Sequence, residues 1–201
     1  MCQLEHRELF YFCPNTIYSY NMKIYTKTGD QGETKLLYGD TVPKDSLAPE
    51  AYGSVDELVA SLGLIRAEEK LPIEVKETLL RIQRDLFIVG AELATAKENR
   101  KKLKAKETLV DDSMVEVLEK EIDFLEEKNG IPEFFVVPGE NIISAKFEWS
   151  RVVSRRAERK CVTWQSRLEI DDSKVIVYLN RLSDLLWMLA RDFEEDWTPS
   201  K

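Results

Sequence analysis

Histidine is almost missing from this chain: His6 is the only one in 201 residues. Catalytic triads that route a proton through imidazole, H-E-x-x-H zinc sites and histidine-driven acid–base chemistry are thereby effectively excluded. Cysteine is scarce too. Cys2, Cys13 and Cys161 show no C-x-x-C spacing, and an odd number at distant positions fits neither a disulfide framework nor a zinc site. A reducing cytoplasm is the simplest compartment, and no protein metal site is readable. No apolar run reaches the roughly 20 residues of a membrane span, because charged residues interrupt each long hydrophobic segment. Excess positive charge is also lacking: the formal net charge of −8 argues against a general nucleic-acid binder, which presents a basic face to many phosphates. Any site for a polyanion is therefore local.

What is present is 43% hydrophobic and 33% charged sequence, enough for one well-filled core and one domain. Residues 1–22 read as an N-terminal extension without the basic start and apolar stretch of a signal peptide. Met22 precedes Lys23-Ile24-Tyr25, the first segment that makes sense as part of a fold, and is a candidate initiator; the domain is expected over 23–196. Residues 23–53 carry Gly29, Gly32, Gly39, Pro43, Pro49 and Gly53 and read as a structured loop region. Ser54-Val55-Asp56-Glu57 fits a capping box, so a first helix is expected at about 54–69. Val75, Leu79, Ile82, Leu86, Val89 and Leu93 form the seam of a second helix after Pro72. The lysine-rich 97–110 stretch reads as a solvated, mobile connection. A third helix is expected from Asp112 to the Asn129-Gly130 stop, a fourth from after Pro138-Gly139 to about Trp164, and a fifth over roughly 173–194. Phe134-Phe135-Val136-Val137 is the best strand candidate. Five amphipathic helices with few strand signals imply an all-α, antiparallel five-helix bundle.

Three constellations stand out. On the fourth helix Arg151, Arg155, Glu158 and Arg159 share one sector, while Val153, Ala157, Cys161 and Trp164 fall on the opposite side. Adjacent guanidiniums repel unless anions sit among them; the stripe is either a salt-bridged surface or a phosphate or carboxylate site. On the nearly apolar fifth helix Asn180, Asp184 and Arg191 share a stripe that must face the fourth helix or a polar ligand. Tyr25-Thr26-Lys27-Thr28-Gly29-Asp30-Gln31-Gly32-Glu33-Thr34 offers amides, hydroxyls and a lysine, the inventory of a phosphate cradle, but lacks the P-loop order and reads equally as a turn.

Taken in order, the 25–34 segment, Lys44-Asp45, Ala51-Tyr52-Gly53-Ser54-Val55-Asp56-Glu57-Leu58, Phe135-Val136-Val137-Pro138-Gly139, the R-V-V-S-R-R-A-E-R run over 151–159 and Asn180-Arg181-Leu182-Ser183-Asp184 resemble the PduO-type ATP:cob(I)alamin adenosyltransferases. The resemblance runs from Lys23 to about Arg191. It implies a ferritin-like helical bundle that assembles as a homotrimer, with active sites at subunit boundaries and an N-terminal ATP-binding loop. It implies that ATP, as Mg2+ complex, lies against Thr26, Lys27, Thr28, Gly29, Gly32 and Thr34, with Lys44, Arg155, Arg156, Glu158, Arg159 and Asn180 completing the site. It implies further that Asp56 and Arg151 pair across the interface and that Phe135 fills the lower face of the corrin.

The chemistry so implied, transfer of the 5′-deoxyadenosyl group of ATP to cob(I)alamin, needs no protein base, because cob(I)alamin is itself the nucleophile. The residues expected to be catalytic are Arg155, at the leaving triphosphate, with Arg151 and Asp56. An adenosylcobalamin-dependent client enzyme would receive the product. Two other readings fit the same sequence: a carrier of ATP or adenosylcobalamin without efficient synthesis, and a purely structural trimer. Glu148 stands where most members have histidine, Glu140 where they have the second glycine of P-G-G, and Val59 where they have asparagine. These departures bear on corrinoid affinity and specificity more than on ATP.

Overall fold

The computed structural model describes Tyr25 and residues 27–201. The 1–22 extension, with Met22, and Thr26 of the phosphate-cradle segment lie outside the described residues. A small antiparallel hairpin comes first, β1 (Glu33–Lys35) paired with β2 (Thr41–Pro43). Five α-helices follow: α1 (Leu47–Arg66), α2 (Ile73–Leu93), α3 (Asp112–Asn129), α4 (Ile142–Leu168) and α5 (Val175–Asp192). A 3-10 helix at Lys97–Lys102 lies between α2 and α3. The described chain is thus mostly helical, with six helices and a tiny sheet where five helices alone were expected.

Ion pairs fix the helix directions. Lys160 of α4 meets Glu50 near the start of α1, and Lys146 meets Glu68 just past its end, so α1 and α4 are antiparallel. Glu148–Arg191 at one end and Glu158–Asn180 at the other make α4 and α5 antiparallel. Asp112–Lys174, Glu119–Arg181 and Lys128–Asp192 keep a nearly constant offset, which makes α3 and α5 parallel. Consecutive helices alternate up and down, so two odd-numbered neighbours necessarily point the same way. The seam expected on α2 is fully buried at Leu79, Ile82, Leu86, Val89 and Leu93, each such side chain contributing about 1.5–3 kcal/mol by its removal from water.

Three expectations are corrected. The first helix starts at Leu47, not Ser54. Pro49 sits in its first turn, where the missing N–H would have had no partner, and Ser54 lies inside the helix, its hydroxyl donating to the Ala51 carbonyl at 2.7 Å. The 97–110 stretch is a packed strap. Its Arg100 pairs with fully buried Glu92 at 3.0 Å and with Asp172 at 2.9 Å, and Glu92 also accepts from the Val110 N–H at 2.9 Å. The 134–137 segment is no strand; Val136 makes only an isolated bridge with Pro199.

The remaining boundaries follow the local chemistry. Asp111 caps α3 by accepting from the Met114 N–H at 3.1 Å, and Gly130 leaves it at φ 72°. Asn141 caps α4 in a reciprocal box with Ser144, and its amide also donates to the Phe193 carbonyl at 2.6 Å. That last bond ties the start of α4 to the end of α5. It fixes the loop 130–141 against the bundle at the point where the apolar cleft described below opens.

Candidate functional site

The first component is the loop before α1. Lys27 and Gly32 adopt positive φ, 62° and 84°, which folds residues 27–32 into a compact turn closed by the Gly32 N–H on the Gly29 carbonyl at 3.3 Å. The hairpin returns the chain so that the Lys44 N–H donates to the Gly32 carbonyl at 2.8 Å. The Lys44 ammonium consequently lies over Gly29: a Cβ placed there would stand 2.9 Å from Nζ. Gly29, Gly32 and Lys44 are therefore one unit, and Thr34 is joined to it through its register with Val42. Thr28 is exposed on the same turn. The unit is held to the bundle by Leu37 N–H donating to the Ala94 carbonyl at 2.8 Å and by Asn99 donating to Asp40 at 2.6 Å.

The second component is the α4 stripe. Val153, Ala157, Cys161 and Trp164 are buried, as the periodicity requires, and Arg155 and Arg159 project on the exposed side. Neither guanidinium has an ion pair with a described residue. Asp184 of α5 faces Arg155; partial burial raises its carboxyl above the ordinary range, while Arg181 and Arg155 pull it back. Asn180 donates weakly to Glu158 at 3.4 Å and accepts from Arg181 at 3.1 Å. The α5 stripe thus faces α4. Arg156 turns the other way, to an ion pair with Glu57 of α1. Asp56 stands exposed on α1 with no ion pair to a described residue.

The third component is a cleft of about 530 Å3 lined by Ile131, Pro132, Phe134, Phe135, Val136 and Pro138, with Glu133, Glu148, Arg151 and Trp187. Phe135 is 86% exposed, an unusual position for a phenylalanine in a folded chain. In the cleft wall Glu148 is buried and holds two arginines, accepting from Arg151 Nε at 2.6 Å and facing Arg191 Nη2 at 3.0 Å. Glu194 neutralises Arg191 from the other side at 2.7 Å, and the Arg191 guanidinium lies 5.3 Å from the Trp187 ring centroid. Sequence reading missed Trp187, Glu194 and the 131–134 lining; the buried Arg191 on an apolar helix was the one available signal, since such a charge demands carboxylate partners.

Arg151 and Arg155 are four residues apart, about 6 Å along α4. The open cationic stripe and the apolar cleft are thus neighbours on one helix. The loop unit lies directly before α1, whose first turn is joined to α4 through Glu50 and Lys160.

A helical bundle carrying a loop-borne lysine, an exposed arginine stripe and an adjoining aromatic cleft defines the class of protein. The chain belongs to the cobalamin adenosyltransferase family, whose model matches residues 24–193. It is 37% identical over 177 residues to the corrinoid adenosyltransferase of Citrobacter freundii, covering 88% of this chain and 97% of that one. It is 40% identical to the corrinoid adenosyltransferase of Bacillus subtilis, covering 85% and 86%. Among solved structures, a variant of the PduO-type ATP:corrinoid adenosyltransferase from Lactobacillus reuteri, complexed with cobalamin and ATP, superposes with a TM-score of 0.76 at 29% identity, over 84% of this chain and 89% of that one. A second variant of that enzyme, complexed with ATP, gives 0.74 at 30% identity over 85% and 93%.

Proposed function

We propose that this chain is an ATP:cob(I)alamin adenosyltransferase in which the loop unit and the α4 stripe hold ATP and the Phe135 cleft holds the corrin. The observation that carries the reading is the placement of unpaired Arg155 one helical turn from Arg151 in the cleft wall. Phosphate oxygens demand open guanidiniums, and a large apolar macrocycle demands an aromatic-lined cleft. Both stand on α4.

The reaction joins cobalt to the 5′ carbon of ATP as the bond from that carbon to the triphosphate oxygen breaks. The protein needs to align the two partners and stabilise the departing polyanion. Arg155 and Arg159 supply fixed cationic donors; Lys44, with the amide of Gly29, supplies a second set, and Gly32 shapes the turn that presents them. Thr26, Lys27, Thr28 and Thr34 add hydroxyls and charge, Glu158, held to Asn180, lines the remainder, and Arg156 joins the site by exchanging Glu57 for the triphosphate. Magnesium enters with the triphosphate. It is held there by phosphate oxygens and water, with few protein ligands.

Phe135 packs against the lower corrin face in this reading and excludes an axial base. Asp56, exposed, and Arg151, whose terminal nitrogens bond to no described residue, are placed to pair between subunits of a homotrimer. Exposed Ile142, Trp149 and Val152 on α4 and Leu64 on α1 give such an assembly an apolar surface to cover. Among the described residues no helix is long and apolar enough to cross a membrane. The reading is completed by a cytoplasmic location and by an adenosylcobalamin-dependent client that receives the product.

The test is an anaerobic assay with ATP, magnesium and chemically reduced cob(I)alamin. ATP-dependent loss of the cob(I)alamin absorbance and formation of light-sensitive adenosylcobalamin are expected. Tight ATP binding without conversion would overturn the transferase in favour of a carrier. For the cleft, Phe135→Ala is expected to bind ATP normally and to fail to form four-coordinate, base-off cob(II)alamin. An unchanged cob(II)alamin spectrum in that variant would place the corrin elsewhere.

A further inference from the structure

The residue at 148 is a carboxylate, and its surroundings define the charge of the cleft. Glu148 lines the cleft, with Glu133 as a second acid and Arg151 as the lone base among the lining residues. Arg191, directly behind, contributes no net positive charge because Glu194 neutralises it. Two carboxylates therefore border the cleft against one guanidinium, and since Glu148 is already paired with Arg151 at 2.6 Å, the lining keeps one excess negative charge.

We infer that Glu148 makes this cleft select corrinoids whose periphery is fully amidated over those that bear free peripheral carboxylates. The inference rests on the corrin occupying the Phe135 cleft. An amide offers both a donor and an acceptor. Its N–H groups can bond the remaining lone pairs of Glu148 or Glu133, and its oxygen a terminal N–H of Arg151 that a pair with Asp56 leaves free. A carboxylate offers acceptors only and meets like charge from Glu133 and Glu148, an arrangement that costs affinity and excludes wrong partners. Glu148 acts here as a positioning and specificity residue: it orients Arg151 and sets the sign of the wall, and it takes no part in the bond changes.

The experiment uses the full chain with saturating ATP and two cob(I) corrinoids at about pH 8, where carboxylates are ionised. One is cob(I)alamin; the other is the same molecule with one peripheral amide hydrolysed to the acid. The wild-type protein is expected to show a KM about tenfold higher for the acid, a difference that shrinks on raising salt from about 50 mM to about 500 mM. Glu148→Gln is expected to bring the KM ratio close to one. Glu148→Asp, which keeps the charge, is expected to restore most of the discrimination.

Equal KM values in the wild type, or a ratio indifferent to salt, would overturn the inference without any variant. A folded Glu148→Gln protein that keeps the wild-type ratio would do the same. Thermal melts establish folding; should the glutamine variant not fold, the wild-type ratio and its salt dependence still decide. Failure of the underlying placement is separable. If Phe135→Ala leaves the cob(II)alamin spectrum unchanged, placement and inference fall together, whereas a normal Phe135 response with a flat KM ratio removes the Glu148 inference alone.

Discussion

Arg155 and Arg151 lie one turn apart on α4 yet occupy opposite electrostatic situations. Arg155 is exposed, makes no ion pair with a described residue and faces the raised carboxyl of Asp184. Arg151 is held by Glu148, which in turn holds Arg191, a chain of paired charges in a buried wall. Arg100 belongs with the second kind: its side chain is 8% exposed and is gripped by Glu92 and Asp172. The contrast separates two uses of arginine that composition cannot distinguish. A guanidinium without a protein partner is available to a ligand's charge, and one already neutralised shapes the fold or sets a surface's sign.

The largest effect that tests this division lies far from the proposed chemistry. Glu92→Ala leaves Arg100 buried without its principal partner and strips the Val110 N–H of its acceptor. The expected loss is about 3–5 kcal/mol of folding stability, measured by urea denaturation, because breaking one side of a buried pair strands the other charge. A loss below about 1 kcal/mol would show that the strap relaxes and hydrates Arg100.

Arg155→Ala should behave in the reverse manner. No described residue forms an ion pair with the guanidinium, and Asp184 keeps Arg181 beside it, so the melting temperature should stay close to the wild-type value, while about 3 kcal/mol of transition-state stabilisation is lost. Steady-state kinetics would show this as a fall in turnover by roughly two orders of magnitude. Wild-type turnover in the variant would remove Arg155 from the triphosphate.

The open and closed arginines were not equally legible from sequence. The sector shared by Arg151, Arg155 and Arg159 follows from 100° periodicity, and burial of Val153, Ala157, Cys161 and Trp164 on the other side agrees with it. The Glu148–Arg151 pair lies within α4 at i,i+3 spacing, whereas its extension to Arg191, some forty residues further on, is a tertiary fact. The α2 seam and the Asn129-Gly130 stop were readable because each is a local signal. The start of α1 was not, since Pro49 and Gly53 read as breakers while tertiary packing of Ala48, Pro49 and Ala51 carries the helix back to Leu47. Ordering of the 97–110 strap is equally non-local: a run of lysines gives no sign that Arg100 will reach a buried glutamate on the preceding helix. The β1–β2 hairpin is too short for alternation to announce it, yet it is what brings Lys44 onto Gly29.

The smallest effect comes from the same strap and sharpens the comparison from within. Lys104 pairs with Glu107 at 3.4 Å, both side chains being mostly solvent-exposed at 71% and 62%. Each end keeps its hydration, salt screens the attraction, and ordering two long side chains opposes it. Lys104→Ala should therefore change stability by less than about 0.5 kcal/mol in urea denaturation, although it removes a basic residue from the same run as Arg100. A change as large as that of Glu92→Ala would mean that the strap is held by its charge as a whole. A negligible one leaves the strap held by specific contacts, the buried Arg100–Glu92 pair foremost among them.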